Sequence, residues 1–405
     1  MRILWIADYL PYPLISGDRI RIFNLLKRVA KQHEVYLAAM LEKPEDVEGV
    51  PHLSKFCARV ETANFKQHSR LEKLPGLIGY ALAGKPPELR LLYSEELVEK
   101  IKNLATTIDF DIVQIEHARM GLYLETLPSS KKRKSLLMFH NFTSQQYSRV
   151  SQIEQRWDRK FRPWLNSVAM GYWEPRYAGK FDRCLTVSEL DRQLLLASNP
   201  RLCVDVIPNG VDTEKFQPLP LPIEDTLPAL LFLGNMGYPP CVDAALYFCK
   251  EIFPLIRQSK DKAEFWIVGR DPRPEVLELN GDQVHVTGRV DDVLPYYQKC
   301  PICVVPLRAG GGTRLKILEA MALGRPIVST TIGCEGLDVV DGEHLLIADT
   351  PAEFAEKTVR LLHDRQLYQR LSVNGRHLVE QQYGWGNITA KLMGIYTDMT
   401  TVGSK

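Results

Sequence analysis

Short apolar runs alternate with segments of helical period along most of this 405-residue chain, and that alternation excludes most architectures before any motif is considered. Residues 2–7 read as an apolar strand, 8–17 as a proline-rich loop ending in Ser16-Gly17, and 18–31 as a helix. Ile20, Phe23, Leu26 and Val29 or Ala30 give that helix one apolar stripe. A second strand at 34–40 completes a βαβ start, so the loop falls at the carboxyl edge of the first strand, where doubly wound sheets bind ligands. Further strands are expected at 112–115, 136–139, 184–187 and 204–207. Residues 145–180 read as helical, with kinks expected at Pro163 and Pro175 and with Trp157 and Trp164 expected in the core.

Pro218, Pro220, Pro222 and Pro228 stiffen a stretch without periodicity and mark a domain boundary. The alternation then restarts, with strands at 229–233, 264–268, 283–287, 302–306, 326–329 and 344–347 and helices at 241–258, 291–299 and 313–323. The chain is therefore expected to be α/β, with two Rossmann-like, doubly wound domains at 1–217 and 218–384. A helix over 385–405 is expected to return to the first. If the linker folds back, the ligand-binding edges of the two sheets face one another across a cleft.

Charge divides unevenly between the halves. Residues 1–205 hold 31 Lys and Arg against 24 Asp and Glu, or +7, and the remainder holds 20 against 25, or −5. A basic first half suits an anionic acceptor or a membrane surface, and its densest run is 131–134, although short basic runs are commonly solvated turns. Residues 71–83 place Leu71, Leu74, Leu77, Ile78 and Ala81 on one helical face beside Arg70, Lys73 and Lys85, which suits core packing or contact with a bilayer surface. No apolar run approaches the roughly eighteen residues that cross a bilayer, and Asp8 interrupts the start too early for a secretory segment. A cytoplasmic protein is expected, with peripheral contact at the inner membrane face as a further option. The eight cysteines are expected reduced; Cys300 and Cys303 have CxxC spacing, but no second pair or nearby His completes a metal site.

The strongest chemical signal lies after the strand at 302–306, where Arg308-Ala309-Gly310-Gly311-Gly312-Thr313 leads into the helix Arg314-Leu315-Lys316-Ile317-Leu318-Glu319-Ala320-Met321-Ala322. Glycines let backbone approach a ligand, and the amides of a helix N-terminus favour negative charge, so this turn is built to hold a diphosphate. Thr313 reads as the N-cap, and Lys316 and Glu319 are left facing the ligand edge. Glu319, about 9 Å along the helix at 1.5 Å per residue, is placed to accept both ribose hydroxyls or to pair with Lys316 as an ordinary helix residue.

The run from Gly311 to Ala322, with Gly324-Arg325-Pro326-Ile327-Val328 and with Val206-Ile207-Pro208-Asn209-Gly210-Val211-Asp212, resembles the retaining glycosyltransferases of family 4, which have the GT-B fold. Bacterial exopolysaccharide-type sugar transferases share the Pro-Tyr-Pro and Ser-Gly-Asp features of the first loop. The resemblance implies transfer of a hexosyl unit from a UDP- or GDP-linked sugar, as substrate, to a saccharide or lipid-linked acceptor, with retention of configuration, no metal, no other cofactor and no nucleic-acid partner. Glu319 matches the family's ribose-binding Glu, and Ser16-Gly17 its first-domain glycine loop. Asp111-Ile112-Val113-Gln114-Ile115-Glu116-His117 resembles the strand end bearing the donor-sugar His, with Glu116 or His117 as the candidate, and His140 is a further polar candidate.

Two departures stand out. Gly311 occupies the place of the family's first Glu, eight residues before Glu319, and the segment Gly234-Asn235-Met236-Gly237-Tyr238-Pro239-Pro240 lacks the family's Arg and Lys. Arg314 and Lys316, or Arg308, are expected to supply the missing charge beside Asn235, Gly311, Gly312 and Thr313. Other readings are a GT-B epimerase or phosphorylase, or a catalytically silent binder of sugar nucleotides or polysaccharide; a dehydrogenase is disfavoured because no G-x-G-x-x-G follows the first strand.

Overall fold

The structure is a computed structural model that describes residues 1–65, 85–86, 89, 92–130, 133–154, 157–220, 228–311 and 314–401. The 71–83 segment and residues 131 and 132 of the basic run lie outside the described residues. The chain forms two compact units: Met1–Gln145, Leu165–Asn209 and Trp385–Lys405 in one, and Gln146–Trp164 and Gly210–Gly384 in the other. The changeover at 209/210 precedes the 217/218 boundary read from the prolines, and residues 146–164 belong to the second unit, which sequence reading did not anticipate.

The first unit is built on β1 (Arg2–Ala7), β2 (Glu34–Leu41), β3 (Arg59–Asn64), β4 (Ile112–Glu116), β5 (Lys134–Phe139), β6 (Arg183–Thr186) and β7 (Val204–Val206). They pair in parallel in the order β3-β2-β1-β4-β5-β6-β7. Apolar continuity produces this: β1 is buried at every position from Ile3 to Ala7, as a strand covered on both faces must be. β3 was not expected, because Arg59, Glu61, Thr62 and Asn64 give it no apolar run; its pairing with β2 holds it in the sheet.

Helix α1 (Gly17–Val29) follows β1, and α2 (Glu95–Thr107) precedes β4. Where one kinked helix was expected there are two, α3 (Thr143–Ile153) and α4 (Trp157–Ala178), and α4 runs unbroken through Pro163 and Pro175. Glu174, fully buried on α4, accepts hydrogen bonds at 3.1 Å from the amides of Thr143 and Ser144, so it satisfies the open N-terminus of α3. Trp157 and Trp164 are exposed by 81% and 52%, which overturns their expected place in the core. The seven-residue spacing does put them on one face of α4; that face points to solvent, while Met170, Trp173 and Tyr177 take the buried one.

The second unit contains β8 (Ala229–Leu233), β9 (Glu264–Val268), β10 (Val284–Val286), β11 (Ile302–Val305), β12 (Ile327–Ser329) and β13 (Leu346–Ile347). They form a parallel sheet in the order β10-β9-β8-β11-β12-β13, the first unit's pattern again without its last strand. Helix α5 (Pro239–Tyr247) follows β8 and α6 (Leu315–Ala322) follows β11. The last helix, α7 (Trp385–Thr401), packs Ile388, Leu392 and Tyr396 into the first unit's core with Ile22, Leu25 and Leu26 of α1. Each such buried side chain contributes about 1.5–3 kcal/mol of hydrophobic stabilisation.

In both sheets the strand order reverses at one point, between β1 and β4 in the first unit and between β8 and β11 in the second. Ligands of open α/β sheets bind beyond the carboxyl ends of the strands at such a point.

Candidate functional site

Beyond β1 and β4 lies a buried polar centre. Asp8, the residue after β1, is fully buried, and the Arg119 guanidinium donates to its Oδ2 through Nε at 2.9 Å and through Nη2. Burial pushes the Asp8 carboxyl above its ordinary value, helped by neighbouring Asp18 and opposed by Arg119. At the end of β4, Glu116 is fully buried, accepts from Gln114 Nε2 at 2.6 Å and pairs with His140 Nε2 at 2.6 Å. Burial alone would raise the Glu116 carboxyl, yet the contacts with His140, Arg21 and Gln114 hold it below the usual value, so Glu116 is a carboxylate.

His117 stacks on His140, ring centroids 3.9 Å apart and planes inclined by 19°. Its Nε2 faces Asp8 Oδ1 at 3.6 Å and Asp18 Oδ2 at 3.9 Å, and among the described residues neither His117 Nε2 nor Asp8 Oδ1 has a hydrogen-bond partner. Burial, then the nearby His140 and Arg119, hold His117 well below its ordinary pKa, so it is a neutral imidazole. Its backbone sits at φ 65°, a region that L side chains seldom enter. A strained residue with unsatisfied polar atoms at a switch point is a mark of a functional site.

The sequence candidates Glu116, His117 and His140 therefore come together, and Asp8, Asp18, Gln114, Arg119 and Tyr396 join them. Tyr396 of α7 donates to Gln114 Oε1 at 2.5 Å. Asp8 had a legible signal, a carboxylate at the end of an apolar strand opening a ligand-side loop; Tyr396, 282 positions from Gln114, had none. Ser16 caps the start of α1 in extended backbone without bonding a helix amide, and Gly17 is the first helical residue. The Ser16 hydroxyl and the Arg19 amide bond Asp18, and with His140 and Arg119 they outweigh burial and hold its carboxyl low.

The second centre lies beyond β8 and β11. Gly310 has φ 130°, and a side chain there would strike Arg314, whose Nη1 donates at 2.5 Å to the Gly311 carbonyl. Gly312 and Thr313, expected to hold phosphate and to cap the helix, lie outside the described residues. α6 begins at Leu315, two residues later than expected, with Arg314 in the N-cap position. A Cβ on Gly234, directly after β8, would lie 3.1 Å from Lys316 Nζ, and a Cβ on Gly269 would lie 1.6 Å from the Gly234 carbonyl oxygen, so backbone and lysine converge where no side chain fits.

Lys316 is not freely exposed: its ammonium lies 4.5 Å from the centroid of the Phe232 ring, and burial lowers its pKa. Lys316 Nζ and Arg314 Nε and Nη2 are buried without hydrogen-bond partners among the described residues. Two cations with unsatisfied donors at a helix N-terminus can take an anion bearing several oxygens. Arg308 is otherwise engaged, donating to Asp243 at 3.0 and 2.6 Å and stacking on Tyr247 of α5. Asn235 accepts from the Gly237 amide at 3.0 Å, a turn-forming bond. Glu319 is pushed up to about 7 by burial, with Lys215 and Lys316 opposing.

Residues 146–164 bring two groups that sequence reading missed. Arg149 donates to the Gly310 carbonyl at 2.9 Å and to Glu335, and Gln146 donates to the Tyr238 hydroxyl at 2.8 Å. Arg149 thereby ties that segment to the glycine turn.

The model for Glycosyltransferase Family 4 matches residues 15–215, and that for Glycosyl transferases group 1 matches residues 227–364. The chain belongs to glycosyltransferase family 4. This family 4 protein is 22% identical over 398 residues to a 44.6 kDa protein of the cps region of Klebsiella pneumoniae, covering 94% of this chain and 96% of that one. It is 26% identical over 242 residues to the phosphatidyl-myo-inositol mannosyltransferase of Mycobacterium leprae, covering 58% of this chain and 62% of that one. Among solved structures, the sucrose-phosphate synthase of Thermosynechococcus elongatus superposes with a TM-score of 0.74 at 19% identity, covering 99% and 100% of the two chains. Anabaena HepE, solved with UDP and glucose, superposes with a TM-score of 0.67 at 15% identity, covering 98% and 100%. The family 4 protein therefore has the GT-B type of architecture, two parallel-sheet α/β domains, and is a glycosyltransferase. No helix among the described residues is long and apolar enough to cross a membrane.

Proposed function

We propose that this glycosyltransferase moves a hexosyl unit from a UDP- or GDP-linked sugar, bound at its second unit, to a saccharide or lipid-linked acceptor, with retention of anomeric configuration. The observation that carries the reading is the pair Arg314 and Lys316, whose buried donors lack partners among the described residues beside the Gly310 turn. Departure of a nucleoside diphosphate builds negative charge on its phosphates. Preorganised cations and helix amides in a water-poor site stabilise that charge in the transition state without a metal ion. Lys316, close to Gly234, supplies the charge that the segment after β8 lacks. Glu319 takes the ribose hydroxyls. Gly311, where the family carries Glu, leaves the sugar to other contacts.

On the first unit, Glu116, His140 and the neutral His117 provide the carboxylate and imidazoles that stabilise an oxocarbenium-like sugar and orient the acceptor hydroxyl, which attacks from the departing face. The likeness to HepE, solved with UDP and glucose, and to the phosphatidyl-myo-inositol mannosyltransferase supports a nucleotide donor and a lipid-linked acceptor. A lipid-linked acceptor places the protein peripherally at a membrane.

Calorimetric titration with UDP and GDP tests the donor site. Two charge-assisted hydrogen bonds at about 1.5–3 kcal/mol each predict that R314A/K316A loses at least about a hundredfold in affinity for the preferred nucleotide. Unchanged affinity overturns the site, and an NMR spectrum showing inverted anomeric configuration in the product overturns retention.

A further inference from the structure

α4 carries a surface that neither sugar transfer nor the core uses. Trp157, Phe161, Trp164, Leu165, Val168 and Tyr172 are exposed by 81%, 58%, 52%, 48%, 58% and 57%. At about 100° per residue these six positions fall within an arc of about 100°, and at 1.5 Å per residue the stripe runs about 22 Å. Four of the six are aromatic. The opposite face, with Met170, Trp173, Glu174 and Tyr177, is buried. Scattered exposed apolar residues are ordinary, but a continuous stripe of large ones marks an interaction surface.

The charge bordering the stripe says which surface covers it. Among the described side chains of α4, the exposed charged groups are Lys160, Arg162 and Arg176, all basic. Lys160 stands beyond one edge of the arc, and Arg176 and Arg162 stand beyond the other. Arg176 also stacks on Tyr172, its guanidinium carbon 3.3 Å from the ring centroid. Glu174, the one carboxylate of the described set, is buried and spent on the amides of Thr143 and Ser144. An aromatic and aliphatic band flanked by cations is the pattern of a helix lying in the interface of an anionic bilayer, with rings at headgroup depth and ammonium and guanidinium groups on lipid phosphates.

We propose that the exposed face of α4, from Trp157 to Tyr172, is the membrane-docking surface of this protein and takes anionic phospholipid. The inference rests on the peripheral membrane reading above and specifies the element that makes the contact. It does not depend on 71–83, the segment that sequence reading left open to core packing or bilayer contact.

The full-length protein is mixed with vesicles of equal parts phosphatidylglycerol and phosphatidylcholine, and binding is read by cosedimentation. Removing two large apolar side chains from the contact predicts that W157S/W164S binds at least about tenfold more weakly, with nucleotide affinity unchanged. Vesicles with brominated acyl chains add a local readout. Trp5, Trp173 and Trp385 are buried and Trp266 half-buried, so quenching falls mainly on Trp157 and Trp164 and disappears in W157F/W164F, which keeps its apolar face. Vesicle binding that survives W157S/W164S, or that leaves the wild-type fluorescence unquenched, overturns α4 as the docking face while the peripheral reading stands. Absence of vesicle binding overturns both. A wild-type dimer in sedimentation velocity that W157S/W164S returns to monomer assigns the stripe to a second copy and likewise overturns the proposal.

Discussion

Replacing Glu319 by Gln should stabilise the unliganded protein while weakening its grip on nucleotide. Burial raises the Glu319 carboxyl from 4.5 to about 7. A rise of that size corresponds to a penalty of about 3 kcal/mol on the ionised form, at about 1.4 kcal/mol per pH unit. Glu319 is only partly buried in the surface sense, so solvent screening reduces this to roughly 1–2 kcal/mol. The sign follows from linkage. Below pH 4.5 the carboxyl is protonated in both the folded and the unfolded chain and costs nothing; between 4.5 and about 7 the unfolded chain releases its proton while the folded one retains it, and the penalty grows; above about 7 it is constant. E319Q removes the penalty, so its melting temperature should exceed the wild type's by about 3–6 °C at pH 8 and match it near pH 4.5, taking about 3 °C per kcal/mol for a unit of this size. Scanning calorimetry with and without UDP reads both effects. With UDP bound the order should reverse, because the wild type gains a carboxylate–ribose contact that the amide replaces poorly. Wild-type affinity should also rise as pH climbs through about 7, where binding must expel the retained proton. A stability gap that is larger at pH 5 than at pH 8, or an E319Q that binds UDP as the wild type does, refutes the reasoning.

Other substitutions test the two centres separately. K316M replaces a buried, unpartnered ammonium by an apolar side chain of similar length and should raise the melting temperature while costing tenfold or more in nucleotide affinity; a destabilised K316M in calorimetry would contradict the orphaned-cation reading. D8N removes the carboxylate facing Arg119, and urea titration should show about 3 kcal/mol lost. Because His117 sits at φ 65°, H117G should be more stable than H117A by about 1 kcal/mol although both lose turnover; equal stabilities would mean the backbone is not strained. Y396F leaves Gln114 Oε1 without its donor and should cost about 1–3 kcal/mol in denaturation, with a smaller effect on nucleotide affinity than R314A/K316A.

Chain-local patterns carried much of the fold. Strands at 229–233 and 264–268 were legible to the residue because fully covered parallel strands are uninterrupted apolar runs between polar ends. β3 escaped because Arg59, Glu61 and Asn64 follow no apolar pattern and are held by pairing with β2. Of the second centre, the contiguity of strand, glycine turn and helix made Arg314, Lys316 and Glu319 legible as candidates, whereas the pairing of Arg308 with Asp243, 65 positions away, was not legible.

What the sequence alone determined is therefore whatever depends on neighbours along the chain: the alternation that forces two parallel sheets, the glycine turn before α6, and the residues at strand ends. What only the tertiary structure decided depends on groups far apart in sequence. Backbone proximity to segments distant in sequence assigns 146–164 to the second unit, Tyr396 reaches Gln114 from the last helix, and the face of α4 bearing Trp157 and Trp164 turns outward because Met170, Trp173 and Tyr177 fill the inward one. Periodicity shows that a helix has two faces; only the packed chain determines which of them meets water.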